Sequence, residues 1–250
     1  MDLSDYKEFF GNIFAHIDEL RARFIRIDVA LVLGFITCYY FREDIFAILM
    51  YPLTINLPPG NGMVYIHPAE MFITYLKVSA LAGFLLASPY VLYQLWAFIS
   101  SLFPGGGGKQ LFQVTAVSML LFFGGLCFGY FVVFPFGFKF LIENYTTAEI
   151  RPMLTMGKNF SLISIMLLAF GAIFEIPIIF FLLAKAGLVS YRALKKFRLY
   201  AILGAFIIGA ILTPTPDIFN QTLMAVPIIV LYEASIWVTY VVERNKRKAR

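Results

Sequence analysis

The stretch LLAFGAIFEIPIIFFLL (residues 167–183) carries one charged side chain, that of Glu175, in an otherwise apolar run. A helix needs about 20 mostly apolar residues to cross a hydrocarbon core of about 30 Å. With its apolar flanks the stretch extends over about 159–184, which is long enough to cross. Because a lone strand cannot satisfy its backbone hydrogen bonds in lipid, the stretch predicts a transmembrane helix.

The composition of the whole chain agrees with that local pattern. Of its 250 residues, 60% are hydrophobic and 14% are charged, and the mean hydropathy is +0.81. These values are typical of a polytopic membrane protein and exclude an ordinary soluble domain. The net charge of +5 therefore indicates membrane topology, and it does not indicate a nucleic-acid partner.

Working outward from the first stretch, we predict an all-α protein with six transmembrane helices. The fifth and sixth spans are expected to be short. The apolar run of the fifth has only about 14 residues before it reaches Thr213, and the sixth opens with polar residues. The predicted spans cover about 24–41, 72–103, 111–142, 159–184, 199–212 and 219–242.

The connections between spans carry the charges that orient the protein. Segment 43–71 is expected to be a long loop because it contains the turn-forming run YPLTINLPPGNG. Most of the 20 basic residues fall on one predicted side of the membrane. Four are in the N-terminal segment, one is in the second connection, five are in the fourth connection and five are in the tail. By the positive-inside rule, both termini are predicted to be cytoplasmic. We expect one domain over 1–250, with an amphipathic N-terminus (1–22) and a basic tail (243–250).

Glu175 is the polar residue that most needs explanation, because a charge in the middle of a span costs several kcal/mol. It is expected to face a cavity or a partner, or to be protonated. The plainer interpretation is a protonated glutamate that hydrogen-bonds a neighbouring helix. Pro177, two residues later, is expected to kink the helix, as are prolines in three other spans.

Motifs of an enzyme are missing from the sequence. It contains two histidines and no HExxH, GxSxG or P-loop motif, so we expect no catalytic residues, no metal and no cofactor. A small secondary transporter with Glu175 as its proton or cation site is the alternative from a different class. No internal repeat favours that alternative.

Five stretches resemble one known family in the same order along the chain. The stretch HIDELRAR (16–23), ahead of the first span, resembles the amino-terminal signature of TatC, the multispanning core of the twin-arginine protein translocase. The other four are LLASPYVLYQLWAFI (85–99), GYFVVFPFGFKFL (129–141), AFGAIFEIPI (169–178) and LTPTPDIFNQTLMAVPIIVLYE (212–233). The resemblance extends over about 12–242.

The resemblance implies a receptor for signal peptides that carry two adjacent arginines. It places Glu19 as the carboxylate that accepts those arginines, which suits the planar fork of guanidinium donors. The predicted signal-peptide site comprises Asp18, Glu19, Arg21, Gln94 and Phe98, and Arg21 and Arg23 are also expected to fix topology and touch lipid headgroups. From the residues alone, an interfacial helix with internal i,i+4 pairs is an equal alternative.

One segment departs from the family pattern. TatC proteins typically carry a glutamate followed by a basic residue between spans two and three. Here that loop is FPGGGGKQ, with glycines at 105–108 and no acid. Half of the expected acidic clamp is therefore missing.

The resemblance implies further sites and partners. Glu175, Pro177 and Gln221 are predicted to dock the single-span subunits TatA and TatB, and the complex is expected to contain several copies of the chain. Pro52, Glu70 and Asp217 are predicted to belong to a periplasmic cap, although Glu70 alone could simply favour its own helix N-terminus. The implied transport is driven by the proton gradient, and the implied location is the bacterial cytoplasmic membrane.

Overall fold

The computed structural model describes the backbone of residues 3–57, 63–101, 108–145, 154–213 and 217–248. Side chains are described for 20–57, 63–100, 108–144, 154–213 and 217–246. Within these ranges the chain is almost entirely helical. The loop glycines of FPGGGGKQ at 105–107 and the side chains of Asp18 and Glu19 lie outside the described residues.

Ten α-helices and two very short strands form the described chain. A five-residue π-helical segment, Gly129–Val133, joins the fourth helix to the fifth. The strands β1 (Met63–Val64) and β2 (Leu154–Thr155) pair in parallel. The helices are α1 (Leu3–Tyr40), α2 (Arg42–Thr54), α3 (Pro68–Ser101), α4 (Gly108–Phe128), α5 (Phe134–Tyr145), α6 (Met156–Phe174), α7 (Ile176–Ala186), α8 (Tyr191–Lys196), α9 (Arg198–Leu212) and α10 (Ile218–Lys248).

Four helical stretches are long and apolar enough to cross a membrane by themselves. They are Pro68–Ser100, Gly108–Asn144, Met156–Ala186 and Ile218–Lys246. A bent pair, Leu20–Tyr40 with Arg42–Thr54, can form a fifth span, and Arg198–Leu212 is a shorter apolar helix. These stretches coincide with the six predicted spans, and the all-α membrane class is confirmed. The count of six crossings and the cytoplasmic side of the termini stay predictions.

Three boundaries differ from the sequence predictions. Segment 43–71 is not wholly a loop, because its first part forms α2. The N-terminal segment and the first span are one continuous helix, α1. The fifth span is short, at 15 residues, but the sixth is not, because α10 continues through the polar residues at both of its ends.

Helix α2 has a recognisable sequence basis. Glu43 and Asp44 stand in its first turn, where acidic side chains interact favourably with the helix dipole. Its buried residues Phe46, Leu49 and Leu53 recur at intervals of three and four, the spacing of one helical face. The turn-forming residues further along concealed this short amphipathic pattern.

Prolines within the helices leave carbonyl oxygens without their usual donor, and side chains supply a replacement. Pro52 has no N–H for the carbonyl of Ile48, and the Tyr130 hydroxyl donates to that oxygen at 2.6 Å. Similarly, the Ser88 hydroxyl donates at 2.7 Å to the carbonyl of Leu85, the residue four before Pro89.

Two prolines coincide with departures from regular α-helix. Pro135 follows the π-helical segment, where the Phe134 N–H bonds the carbonyl of Gly129. Pro177 lies in the first turn of α7, directly after the helix breaks at Glu175. By contrast, α3 and α10 continue through Pro89 and Pro227. An interruption of the α-helix therefore accompanies only two of the four prolines that were predicted to kink their helices.

The chain divides into two compact units. The first comprises residues 1–45 and 75–115, and the second comprises 46–74 and 116–250. In the first unit α1 and α3 approach closely, since a Cβ on Gly34 would lie 2.6 Å from the carbonyl oxygen of Gly83. In the second unit α7, α9 and α10 pack around buried residues that include Ala205, Ala225 and Ile228. A single domain over 1–250 stays a prediction.

Candidate functional site

Gln94 is the centre of a polar cluster in the first unit. It lies on α3 and is only 4% exposed, in a helix that is otherwise largely apolar. Its side-chain oxygen accepts a hydrogen bond from an Arg23 guanidinium nitrogen at 3.0 Å, and its nitrogen donates to the Tyr90 hydroxyl at 2.8 Å. Both ends of the amide are therefore satisfied, which fixes the orientation of Gln94.

The other predicted signal-peptide residues belong to the same two helices and are near Arg23 or Gln94 in sequence. Asp18 and Glu19 belong to α1, and Glu19 stands one helical turn before Arg23. Arg21 is exposed, and Phe98, one turn beyond Gln94 on α3, is half-buried. The structure thus joins α1 and α3 through Arg23 and Gln94, and the contacts of Asp18 and Glu19 lie outside the described side chains.

Arg23 has a role that the sequence did not indicate. Its guanidinium was expected to contact lipid headgroups together with that of Arg21. It is half-buried and hydrogen-bonded to Gln94, and its contact with headgroups stays a prediction. A hydrogen bond from a charged group contributes about 1.5–3 kcal/mol, so Arg23 helps to fix α1 against α3.

Glu175 occupies a different polar site, in the second unit. It is 7% exposed and stands at the break between α6 and α7. The Ser118 hydroxyl on α4 lies 2.7 Å and 2.8 Å from its two carboxyl oxygens, and Ser118 is fully buried. The predicted hydrogen bond between Glu175 and a neighbouring helix is therefore present, with the Ser118 hydroxyl as donor.

Small residues allow α4 and α6 to enclose this site. A Cβ on Gly125 would lie 2.5 Å from the carbonyl oxygen of Phe170, and a Cβ on Gly171 would lie 2.6 Å from the Phe122 ring. Because Ser118, Phe122 and Gly125 recur at intervals of four and three, they share one face of α4. The spacing shows that the three residues share a face, but nothing in the sequence identified α4 as the partner helix of Glu175.

The predicted docking residues have separate partners. The Gln221 side-chain nitrogen on α10 donates to the carbonyl of Phe206 on α9 at 3.0 Å. Pro177 is buried in the first turn of α7. In this conformation Glu175 faces α4 and Gln221 faces α9, so the two polar groups bond different helices.

Glu70 connects two segments that are far apart in the sequence. Its carboxylate accepts hydrogen bonds from the N–H groups of Ile66 and Gly157, both at 2.9 Å. Gly157 is in the first turn of α6, and a Cβ there would lie 2.9 Å from Glu70 Oε1. Glu70 therefore caps a second helix N-terminus beside the β1–β2 pair, in addition to favouring its own.

The other two predicted cap residues have local roles. Pro52 is buried inside α2 and was expected in a loop, so its placement there is a correction. Asp217 precedes α10, and its carboxylate accepts from the Asn220 backbone N–H at 2.7 Å and from the Asn220 side chain at 2.9 Å. Asp217 thus caps the N-terminus of α10.

One ion pair was not predicted. Arg198, at the start of α9, binds Glu233 of α10 through two guanidinium nitrogens and both carboxylate oxygens. Tyr232 beside it donates to the carbonyl of Leu194 at 2.9 Å. Glu233 and Arg198 are 35 residues apart in the sequence. The only indication of their pairing was that Arg198 stands at the end of a predicted span, where a charged side chain can reach an acid on a neighbouring helix.

Comparisons with known proteins show the family of this chain. A sequence model of the family described as "Sec-independent protein translocase protein (TatC)" matches residues 15–227. A TatC protein of Desulforapulum autotrophicum is 42% identical over 224 residues, covering 88% of this chain and 81% of the relative. The TatC of Escherichia coli K12 is 35% identical over 225 residues, covering 90% and 86%.

A solved structure shows the same fold. A crystal structure of the twin-arginine translocase receptor TatC superposes with a TM-score of 0.80 at 35% identity, covering 91% of this chain and 99% of that one. None of these relatives is a transporter of small solutes, so the transporter alternative is not supported. The family is a translocase component and not a known enzyme family. The chain therefore belongs to the TatC family, and it is a multi-pass inner-membrane component of the Sec-independent, twin-arginine protein translocase.

Proposed function

We propose that this chain is the signal-peptide receptor and the assembly scaffold of its translocase, which exports folded proteins using the proton gradient. The observation that carries the proposal is the likeness to the crystallised receptor over 91% of the chain. The polar cluster of Arg23, Gln94 and Tyr90 supports it, because that cluster holds α1 and α3 together close to Glu19 along the chain.

In this proposal Glu19 is the acceptor for the paired arginines of the signal peptide. A carboxylate accepts two parallel hydrogen bonds from a guanidinium, which a lysine ammonium cannot match. Arg23, one turn further along α1, is bonded to Gln94 and fixes the helix that presents Glu19. Asp18 and Arg21 are adjacent groups that adjust the local charge, and Phe98 offers apolar surface to the signal peptide.

Single-span subunits TatA and TatB and further copies of this chain are the proposed partners. Glu175, Pro177 and Gln221 are proposed as their docking positions. Since Glu175 is bonded to Ser118 in this conformation, docking through its carboxylate requires that hydrogen bond to break. The energy of one such interhelical bond in a membrane is about 0.6–1.7 kcal/mol, which a partner contact can replace.

The proposed receptor role is tested by export in cells that lack their own TatC and are supplied with the partner subunits. The reporter carries a twin-arginine signal, and a twin-lysine version is the control. We expect export of the first reporter and not the second. Equal export of both would contradict the proposed recognition. So would an absence of export, despite normal insertion, that a glutamate in the glycine loop does not recover.

The glycine loop gives a second arm to the same experiment. A glutamate restored at Gly106 or Gly107 supplies the acid that the family typically carries in this loop. If Glu19 binds the arginines together with that acid, export of the twin-arginine reporter rises and the twin-lysine reporter is unaffected. A matched Gly106→Gln variant controls for the loss of glycine itself.

A further inference from the structure

A groove in the second unit lies where α8, α9 and α10 meet. Its volume is about 480 Å³. It opens at the boundary between the apolar helices and the basic connection 187–197, because α9 becomes apolar immediately after Arg198. The groove is lined by Tyr191, Lys195, Arg198, Glu233, Ile236, Trp237 and Tyr240.

The charges of this groove leave one cation uncompensated. Arg198 and Glu233 neutralise each other in a two-pronged ion pair. Lys195 is exposed and has no hydrogen-bond or ion-pair partner among the described residues. Its surroundings are basic on balance, since Arg192 and Lys196 on the same short helix are exposed, and a nearby acid, Glu243, accepts a hydrogen bond from the Tyr191 N–H. A ligand with a negative charge is therefore favoured.

The remaining walls are aromatic and apolar. Tyr191 and Tyr240 pack edge to face, with ring centroids 5.3 Å apart, and Ile236 lines the same groove at 6% exposure. Trp237 is 69% exposed beside the charged groups. Tryptophan and tyrosine with an apolar body and a polar edge are characteristic of the depth at which lipid headgroups meet acyl chains.

We propose that this groove binds an anionic phospholipid, with its phosphate on the Lys195 ammonium and its glycerol and upper acyl chains along Trp237 and Ile236. Basic pockets between transmembrane helices bind the head groups of anionic lipids by this combination of charge and apolar contact. The lipid would contact α8 and α10 at once and so hold the basic connection against the last span.

The groove chemistry favours a lipid over a free anion or an acidic peptide. A free phosphate would use only Lys195 and gain nothing from the exposed indole of Trp237. An acidic peptide would need backbone hydrogen-bond partners, whereas the lining residues belong to three helices, in which most backbone groups bond one another. The juxtaposition of one cation with an exposed aromatic surface fits a molecule that is anionic at one end and apolar at the other.

Lipid binding to the purified full-length chain tests the proposal. Delipidated protein in detergent is titrated with dioleoyl phosphatidylglycerol or dioleoyl phosphatidylcholine, and bound lipid is counted by native mass spectrometry. We expect phosphatidylglycerol to bind more tightly than phosphatidylcholine. Lys195→Gln should weaken phosphatidylglycerol binding about fivefold, the effect of losing one basic contact near an anionic lipid, whereas Lys195→Arg should retain it.

The matched control is Lys196→Gln, which removes the same charge from the neighbouring position outside the groove. It should weaken phosphatidylglycerol binding clearly less than Lys195→Gln does, because Lys196 contributes only to the basic surroundings of the groove. Trp237→Ala should weaken binding of both lipids, because it removes apolar contact and no charge. Equal affinities for the two lipids, equal losses with Lys195→Gln and Lys196→Gln, or displacement of the lipid by millimolar inorganic phosphate would each overturn the proposal.

Discussion

Gln94 and Glu175 are both buried polar side chains on apolar helices, yet they are held in different ways. Gln94 is a neutral amide that receives a hydrogen bond from a charged group, Arg23, which is itself only half-buried. Glu175 is an acid whose carboxyl oxygens meet a neutral hydroxyl, that of Ser118, inside a closely packed seam. The cluster around Gln94 has a charged edge at the surface, whereas the site of Glu175 is enclosed.

Because of this difference, the two regions are suited to different functions. A fixed, half-exposed cluster is suited to presenting neighbouring groups such as Glu19 to a ligand, because its geometry is already satisfied. An enclosed acid can contact a partner only after its own hydrogen bond and its packing change. We therefore connect recognition with the first region and assembly with the second, and the variants below test that division.

The largest expected effect is on the seam around Glu175. Gly125→Ala places a Cβ 2.5 Å from the backbone oxygen of Phe170, so α4 and α6 must separate. Overpacking of this kind costs about 1–3 kcal/mol, and we expect the upper end because the colliding atom is backbone. Thermal unfolding in detergent measures the loss.

The neighbouring glycine is the matched control for that variant. A Cβ on Gly124 would meet nothing within 4 Å, and Gly124→Ala also improves helix propensity. Its stability should be equal to that of the unmodified chain or slightly greater. Equal destabilisation by both variants would show that the seam does not enclose Glu175 as described.

The next largest effect is expected in the cluster around Gln94. Gln94→Leu removes the acceptor of the Arg23 guanidinium, and hydrogen bonds to charged groups contribute about 1.5–3 kcal/mol. Signal-peptide affinity should fall together with stability, because α1 loses a contact that positions it. Gln113→Leu changes an exposed glutamine on α4 and should alter neither quantity.

A smaller effect is expected from Ser118→Ala. It removes the hydroxyl that bonds Glu175 and keeps the backbone, and such bonds within membranes contribute about 0.6–1.7 kcal/mol. Export and partner crosslinking at Glu175 should change while signal-peptide binding does not. Ser164→Ala is the control, since that hydroxyl bonds a carbonyl of its own helix. Loss of signal binding in Ser118→Ala would break the division between the two regions.

The smallest effect on stability is expected at Tyr130, which lies outside both regions. Tyr130→Phe removes the donor to the Ile48 carbonyl that Pro52 leaves without its helical partner. We expect a loss of about 0.5–1.5 kcal/mol in unfolding free energy, because the Ile48 carbonyl loses the hydrogen bond that replaces its helical donor. Tyr65→Phe, at an exposed tyrosine, should have no measurable effect. Identical behaviour of the two variants would contradict the role of this hydroxyl.

The sequence predicts the long helices of this protein because its apolar runs match the thickness of a bilayer. It does not predict α2, whose apolar face is only thirteen residues long and ends beside turn-forming residues. Nor does it predict the β1–β2 pair, whose two-residue strands are about 90 positions apart and lie beside the hydrogen bond from Gly157 to Glu70.

The candidate site residues also differ in how far the sequence predicts them. Glu175 is evident from the sequence because a lone acid in a span is unusual. Its partner Ser118 is 57 residues away and resembles any other serine in an apolar helix. Arg23 likewise looks like one of several interfacial arginines until α3 brings Gln94 to it. Contacts between helices depend on which faces meet, and a single sequence specifies those faces only weakly.

The central claim is that Glu19 accepts the paired arginines of the signal peptide. The most direct measurement is site-specific crosslinking of a twin-arginine signal peptide to the purified complex, comparing Glu19→Gln with Asp18→Asn and with a twin-lysine peptide. We predict a loss of at least tenfold for Glu19→Gln, little change for Asp18→Asn, and weak crosslinking of the twin-lysine peptide throughout. Undiminished, arginine-dependent crosslinking in Glu19→Gln would contradict the account.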